Sequence, residues 1–241
     1  MEAVTAIYNH EVIYSYKVMD TEMVKTQEFC DIYSKCETQN MPFAVAVEGP
    51  YVIGATTQPH VIGFALITAV APGIAGSYKT QSCPGGKLLV IVKPEYRRKK
   101  LGAALIDLIF DSCSGGHASR RGYQFVNPSQ DQRLIGYVGN PRQWFYIDME
   151  VMVLSRGRKN ETEEGEEYKW ILEWLEVKFA LLLVNHEKRF YYEPRSEKWV
   201  DRLTFRHVCR ARDGAIPAFH VSRLPVAPAS NWELNPVSDT D

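Results

Sequence analysis

The stretch richest in chemistry lies between residues 88 and 112. Five apolar residues, Leu88-Leu89-Val90-Ile91-Val92, run into a turn that holds Arg97-Arg98-Lys99-Lys100. Past Leu101 and Gly102 an apolar helical pattern follows over residues 103–112. A helix N-terminus offers unpaired backbone N–H groups and the positive end of the helix dipole. Set after a buried strand and beside four cations, it is an anion site of the kind that holds phosphate. Gly102 and Ala103 are small enough to let a phosphate reach the backbone. The competing reading is a solvated basic turn or a localisation-type run.

The rest of the chain must position that junction. At 241 residues and 45% hydrophobic content the chain is long enough for one large domain with its own core. Lys and Arg total 28 against 29 Asp and Glu, so no global charge points to nucleic acid or a membrane surface, and neither is expected as a partner. No apolar run approaches the roughly 20 residues that cross a bilayer. The first 16 residues lack a basic region followed by an apolar block, so no secretory signal is expected. Cys30, Cys36, Cys83, Cys113 and Cys209 are odd in number, scattered and without a C-x-x-C. That argues against a disulfide framework or a bound metal and points to the cytoplasm.

Apolar periodicity predicts helices over 2–16, 21–37, 103–112 and 168–179. Strands are predicted over 43–48, 61–71, 88–92, 145–154, 181–192 and 199–208. A hairpin connection is expected over 49–60 and a Gly/Ser/Thr-rich loop over 72–86. The long segment 115–142 reads as an insertion, 155–167 as a charged connector and 213–241 as a Pro-containing tail outside a domain spanning 1–212. The class is α+β, a mixed sheet with helices.

The run Val92-Lys93-Pro94-Glu95-Tyr96-Arg97-Arg98-Lys99-Lys100-Leu101-Gly102-Ala103 resembles the acetyl-CoA diphosphate loop of the GNAT N-acetyltransferase superfamily, whose pattern is Gln/Arg-x-x-Gly-x-Gly/Ala. Arg97, Leu101 and Gly102 match it, and Lys100 stands where the first Gly is usual. Ile7-Tyr8-Asn9-His10 with Ser15, and Trp199-Val200-Asp201, resemble segments of the phosphinothricin-acetyltransferase-like branch. The element order agrees from residue 2 to 210. The family's first strand has no counterpart ahead of the first helix.

The resemblance implies a mostly antiparallel central sheet with helices on both faces. It also implies acetyl-CoA as acyl donor and a small amine or amino-acid-like acceptor. The diphosphate would rest on the amides of Arg98, Lys99, Lys100, Leu101, Gly102 and Ala103, next to Arg97. The pantetheine arm would pair with Val90, Ile91 and Val92, with a backbone N–H near Val90 or Ile91 polarising the thioester. Lys87 occupies the position where the branch carries a Glu base. No carboxylate is then expected on the acceptor nitrogen, and the proton would leave through water toward His10 or Glu176. Glu176 stands where relatives carry the acid for the thiolate; its plain alternative is a solvated helix Glu. Trp199 and Cys113 are expected in the core. The alternative to an enzyme is a non-catalytic acyl-CoA-binding or interaction protein on the same fold, which Lys87 and the absent first strand favour. The open edge left by that strand predicts a homodimer, a covering tail or poor solubility.

Overall fold

The computed structural model describes residues 1–49, 59–70, 85–120, 122–138, 140, 142–155 and 165–210. Two helices come first, α1 (Glu2–Tyr14) and α2 (Thr26–Thr38), followed by β1 (Phe43–Glu48), β2 (His60–Ala69) and β3 (Gly85–Val92). A single 3-10 turn (Pro94–Tyr96) leads into α3 (Leu101–Cys113). Then come β4 (Tyr146–Leu154), α4 (Gly165–Leu172) with a π-helical extension (Glu173–Val177), β5 (Leu182–Glu193) and β6 (Lys198–Val208). The strands form one sheet in the order β1-β2-β3-β4-β6-β5. Only β3 and β4 run parallel; the other neighbours are antiparallel. The α+β class and the mostly antiparallel sheet match the expectation. Among the described residues no strand lies beyond β1.

Directly paired residues project on the same side of a sheet. Phe64 of β2 meets Phe29 of α2 edge-on and stacks over Phe43, so its side of the sheet is the α1/α2 face. Phe64 pairs with Ile91 and Thr68 with Lys87, which puts Ile91, Leu89 and Lys87 on that face. The opposite face carries Ile147, Leu203 and Phe205 under α3 and α4, with Ile106, Ile109, Phe110, Leu175 and Phe179 closing the layer. Helices therefore cover both faces. Each of these side chains is at most 3% exposed, worth about 1.5–3 kcal/mol apiece in burial.

Element ends differ from the sequence pattern for local reasons. α1 stops at Tyr14 because Ser15 adopts extended backbone. α2 begins at Thr26 because the preceding loop is clamped to α1. Asn9 donates to the Val24 carbonyl and accepts from the Val24 amide, both at 2.9 Å. The 168–179 pattern breaks into α-helix and π-helix at Leu172. The segment at 115–142 is tied down through Asp107 of α3, which is 3% exposed. It accepts hydrogen bonds from Ser119, Tyr123 and the Arg120 amide and pairs with His117. Asn140 adds a donor to the Ser112 carbonyl at 2.9 Å. Most of the predicted hairpin connection, nearly all of the 72–86 loop, most of the charged connector and the whole 213–241 tail lie outside the described residues.

His207 of β6 is 8% exposed and stacks on Phe110, ring centroids 4.2 Å apart. Burial pushes its pKa down to about 4; the nearby His117 adds to the shift, and a backbone contact at Phe179 offsets part of it. A histidine held neutral in the fold but free to protonate when unfolded stabilises above its unfolded pKa of about 6.5. That stability is lost as pH falls toward 4. We expect the unfolding free energy to drop by about 3 kcal/mol between pH 7.5 and 4 from this residue. Urea titrations across that range should show a flatter profile for His207→Phe than for the wild type; equal slopes would refute the assignment.

Candidate active site

The β3–β4 ladder has four pairs, from Gly85↔Tyr146 to Leu88↔Met149, and then stops. Glycine is required at its base. A Cβ on Gly85 would sit 2.4 Å from the Tyr146 ring, and one on Gly86 would sit 2.7 Å from Ile67. Beyond Leu88 both strands continue, β3 still bonded to β2 and β4 still bonded to β6. They diverge, leaving a wedge whose two walls are strand backbones. The Lys93 amide donates to Ile62 and the Gly85 carbonyl accepts from Val70, both on the β2 side. Amides alternate along an antiparallel strand. Those of Val90 and Val92 therefore face the wedge, and that of Ile91 faces β2. Val90 is thus the choice between the two expected oxyanion donors that alternation leaves available.

The turn after β3 ends beside the same wedge. Arg98 and Lys100 take left-handed backbone, with φ of 61° and 66°. Lys100 is the N-cap of α3 and stands where the resembling motif carries glycine, the residue that adopts this conformation without steric cost. No side chain caps α3. The turn's backbone bonds end with the Arg97 amide on Pro94 and resume with the Ala104 amide on Lys100. Among the described residues, the amides of 98–103 lie between those bonds with no cap. Tyr96 tethers the turn to the sheet by donating to Glu48 at 2.5 Å. Hydrogen bonds from Tyr96 and His60 hold the Glu48 carboxyl below its usual range.

Arg97 points inward rather than into the cradle. Its Nε donates to the Val92 carbonyl at 3.0 Å, and its Nη2 pairs with Glu11 of α1. The Glu11 side chain is only 3% exposed. Removing one partner of such a pair leaves a buried charge without its counterion. Arg97→Ala should cost about 2 kcal/mol of stability, reduced from the fully buried case because Arg97 is itself 36% exposed. Adding Glu11→Gln should recover part of the loss. Thermal melts of the single and double variants check this, and an additive double variant would overturn it.

Across the wedge, Glu150 is the first β4 residue after the last rung. Its Oε2 accepts from Lys87 at 2.7 Å and lies 4.0 Å from Arg202. Asp148 and Arg206 pair beside it, and Glu187 pairs with Arg202. By register these groups share the α1/α2 face. The floor of the open part of that face is therefore an ion-pair layer. Its upper rim is the end of α1, where Arg195 of the β5–β6 turn donates to the Val12, Ile13 and Ser15 carbonyls. Ile13, Tyr14, Ser15, Tyr16, Glu193 and Arg195 line a shallow pocket of about 170 Å³ there. The sequence reading missed Glu150.

The expected donor-site residues from Val90 to Ala103 run consecutively through the end of β3, the turn and the start of α3, but Ile91 is buried and Arg97 turns inward. His10 and Glu176 do not converge. His10 lies on α1, 44% exposed and 3.6 Å from Glu11, whereas Glu176 is exposed on the π-helical turn over the other face. Trp199 is 45% exposed against Tyr192 and is not a core residue; it lies at the start of β6, beside the β5–β6 turn. Cys113 is fully buried, and burial pushes its thiol up to about 12.

Solved structures share this fold. A Salmonella typhimurium protein solved with its cofactor acetyl-CoA aligns over 86% of this chain and 87% of its own, at 14% identity and a TM-score of 0.55. A phosphinothricin acetyltransferase of the GNAT superfamily from Sinorhizobium meliloti, in complex with acetyl-CoA, aligns over 85% and 80%, at 15% identity and a TM-score of 0.52. The chain has the GNAT fold. A ribosomal-protein-alanine N-acetyltransferase from Brucella melitensis is also similar, over 85% and 91% of the two chains, at 13% identity and a TM-score of 0.52. No family model matches the chain, and no curated protein does. In this chain the open end of the wedge and the uncapped start of α3 both follow from the end of β3. No helix among the described residues is long and apolar enough to cross a membrane, and no group of three or more metal-ligating side chains occurs among them.

Proposed function

We propose that the protein is an acetyl-CoA-dependent N-acetyltransferase acting on a small amine, by direct transfer within a ternary complex. The observation that carries this reading is the end of the β3–β4 ladder at Leu88–Met149 beside the uncapped amides of residues 98–103. An anion cradle alone would suit any phosphate, and a wedge alone would suit any extended ligand. Together they suit one molecule with a diphosphate and a thin amide-bearing arm, which is coenzyme A.

On this reading the amides of residues 98–103 hold the diphosphate, helped by the exposed Arg98, Lys99 and Lys100. Arg97 occupies the Val92 carbonyl, which leaves the Val92 amide and both Val90 groups for the arm and the thioester. A backbone N–H fixed in a strand needs no reorganisation when the carbonyl oxygen gains charge. The acceptor nitrogen attacks that carbon, the C–N bond forms, the C–S bond breaks, and the departing thiolate is balanced by the proton that the acylated nitrogen sheds. The ammonium proton must leave first. Glu150 is the carboxylate just past the closed end of the wedge, on the face that also bears the ion-pair layer and the pocket at the end of α1. It is a better-placed acceptor for that proton than His10 or Glu176.

A second reading is a coenzyme A-binding protein without turnover. The contact of Glu150 with Lys87 at 2.7 Å favours it, since that carboxylate already has a partner. Thermal-shift titration with acetyl-CoA and free coenzyme A, followed by thiol release across an amine panel, separates the two. Stabilisation with turnover supports the enzyme. Stabilisation without turnover selects the second reading, and no stabilisation by either ligand refutes both.

A further inference from the structure

α4 and its π-helical extension carry two indoles one turn apart, Trp170 and Trp174. Their rings are parallel within 9°, with centroids 5.3 Å apart. Trp174 is braced from below by Phe179, edge-on at 5.7 Å. Its Cη2 lies 3.9 Å from where a Cβ on Gly102 would be, so Trp174 stands against the first turn of α3. The π-helical turn allows this. It lets two successive residues pack, Trp174 toward Gly102 and Leu175 into the core with no exposure. Such π segments recur at functional sites.

Trp170 extends past this contact and is 56% exposed. Indoles are usually well buried. One face of Trp170 is covered by Trp174, and the other has no stacking partner among the described residues. A flat apolar surface, backed by the indole that packs against Gly102 in the first turn of α3, is thus presented to solvent.

We infer that Trp170 is a stacking platform for the purine base of the nucleotide whose diphosphate those amides hold. This rests on the coenzyme A reading above and adds a base subsite to it. In coenzyme A the adenine is joined to the diphosphate through a single ribose, so it must lie close to the start of α3. A base on an aromatic side chain gains affinity through its π-face. A parallel, preformed indole loses little freedom in the process.

The test compares two probes by calorimetry, coenzyme A and 4′-phosphopantetheine, which lacks the nucleotide. Trp170→Ala should weaken coenzyme A binding about 10-fold and leave 4′-phosphopantetheine affinity unchanged. Trp170→Phe should restore most of the loss. Because Trp170 is largely exposed, the alanine variant should fold, and circular dichroism verifies that. Equal weakening of both probes, or unchanged coenzyme A affinity with a folded Trp170→Ala protein, overturns the subsite while the coenzyme reading stands. Failure of the wild type to bind either probe overturns both.

Discussion

Gly102→Asp is expected to abolish coenzyme A binding while leaving the free protein as stable as the wild type or slightly more so. Gly102 is the second residue of α3 and has no left-handed backbone to protect. A Cβ there meets only Trp174 at 3.9 Å and Val92 at 4.0 Å, both ordinary contacts. Within the protein, then, nothing requires glycine. Glycine in a helix costs about 0.5–1 kcal/mol relative to alanine, and a carboxylate in the first turn gains about 0.3–1 kcal/mol from the dipole. Both effects stabilise the variant. For a bound diphosphate the same carboxylate is a like charge, placed in the space that the missing side chain leaves open. A purely structural role would lower stability and binding together. Calorimetry beside a thermal melt reads the two signs, and full coenzyme A affinity in the variant would refute the cradle.

Glu150→Gln should lower kcat by about 10²-fold or more, the range for acid–base groups, with the KM for acetyl-CoA nearly unchanged. Glutamine keeps the length and the hydrogen-bonding oxygen, so Lys87 retains a contact. Only the capacity to take a proton is lost. If Glu150 serves merely as the partner of Lys87, kcat should survive and stability should shift by no more than about 1 kcal/mol, since Lys87 is 46% exposed and the pair is screened. Lys87→Met is the matching control. It frees Glu150 and should leave turnover within a few-fold, whereas complete loss would mean that the lysine itself is required.

The strand–turn–helix unit was legible because its signals are local: an apolar run, a cationic turn and an apolar helix in sequence. The inward turn of Arg97 was not, because its partner Glu11 lies 86 residues away in the chain. Glu150 escaped for a related reason. Asp148 and Glu150 alternate with apolar residues as in any half-buried strand, and nothing in that pattern says that the parallel ladder ends at Met149. The segment 115–142 reads as an insertion by its length and composition, and a single buried carboxylate, Asp107, organises its first part. Four polar contacts around Asp107 outweigh the burial that would otherwise raise its pKa and leave it lowered. Trp199 was placed in the core on residue type alone, and its exposure reflects strand position. The helix over 168–179 looked regular because a π turn alters the period only for residues 173–177.

The parting of β3 from β4 also bears on self-association. A strand with bare amides and carbonyls is ordinarily a template for recruiting another polypeptide, and outer strands are commonly guarded by charge, proline or a bulge. β1 has such a bulge at Ala46/Val47. The bare stretches along the wedge sit between two continuous three-stranded halves of one sheet, and they are joined at the bottom by four closed rungs. An incoming strand would need about 4.8 Å of clearance on each side along its length, which a gap tapering to zero at Leu88 cannot give. On the coenzyme A reading, the taper takes the slender arm from the open end, while near Leu88 the closing rungs leave no length for a second polypeptide to pair along. Hydrogen-bonding groups kept there are less open to another chain than the same groups at the sheet's rim.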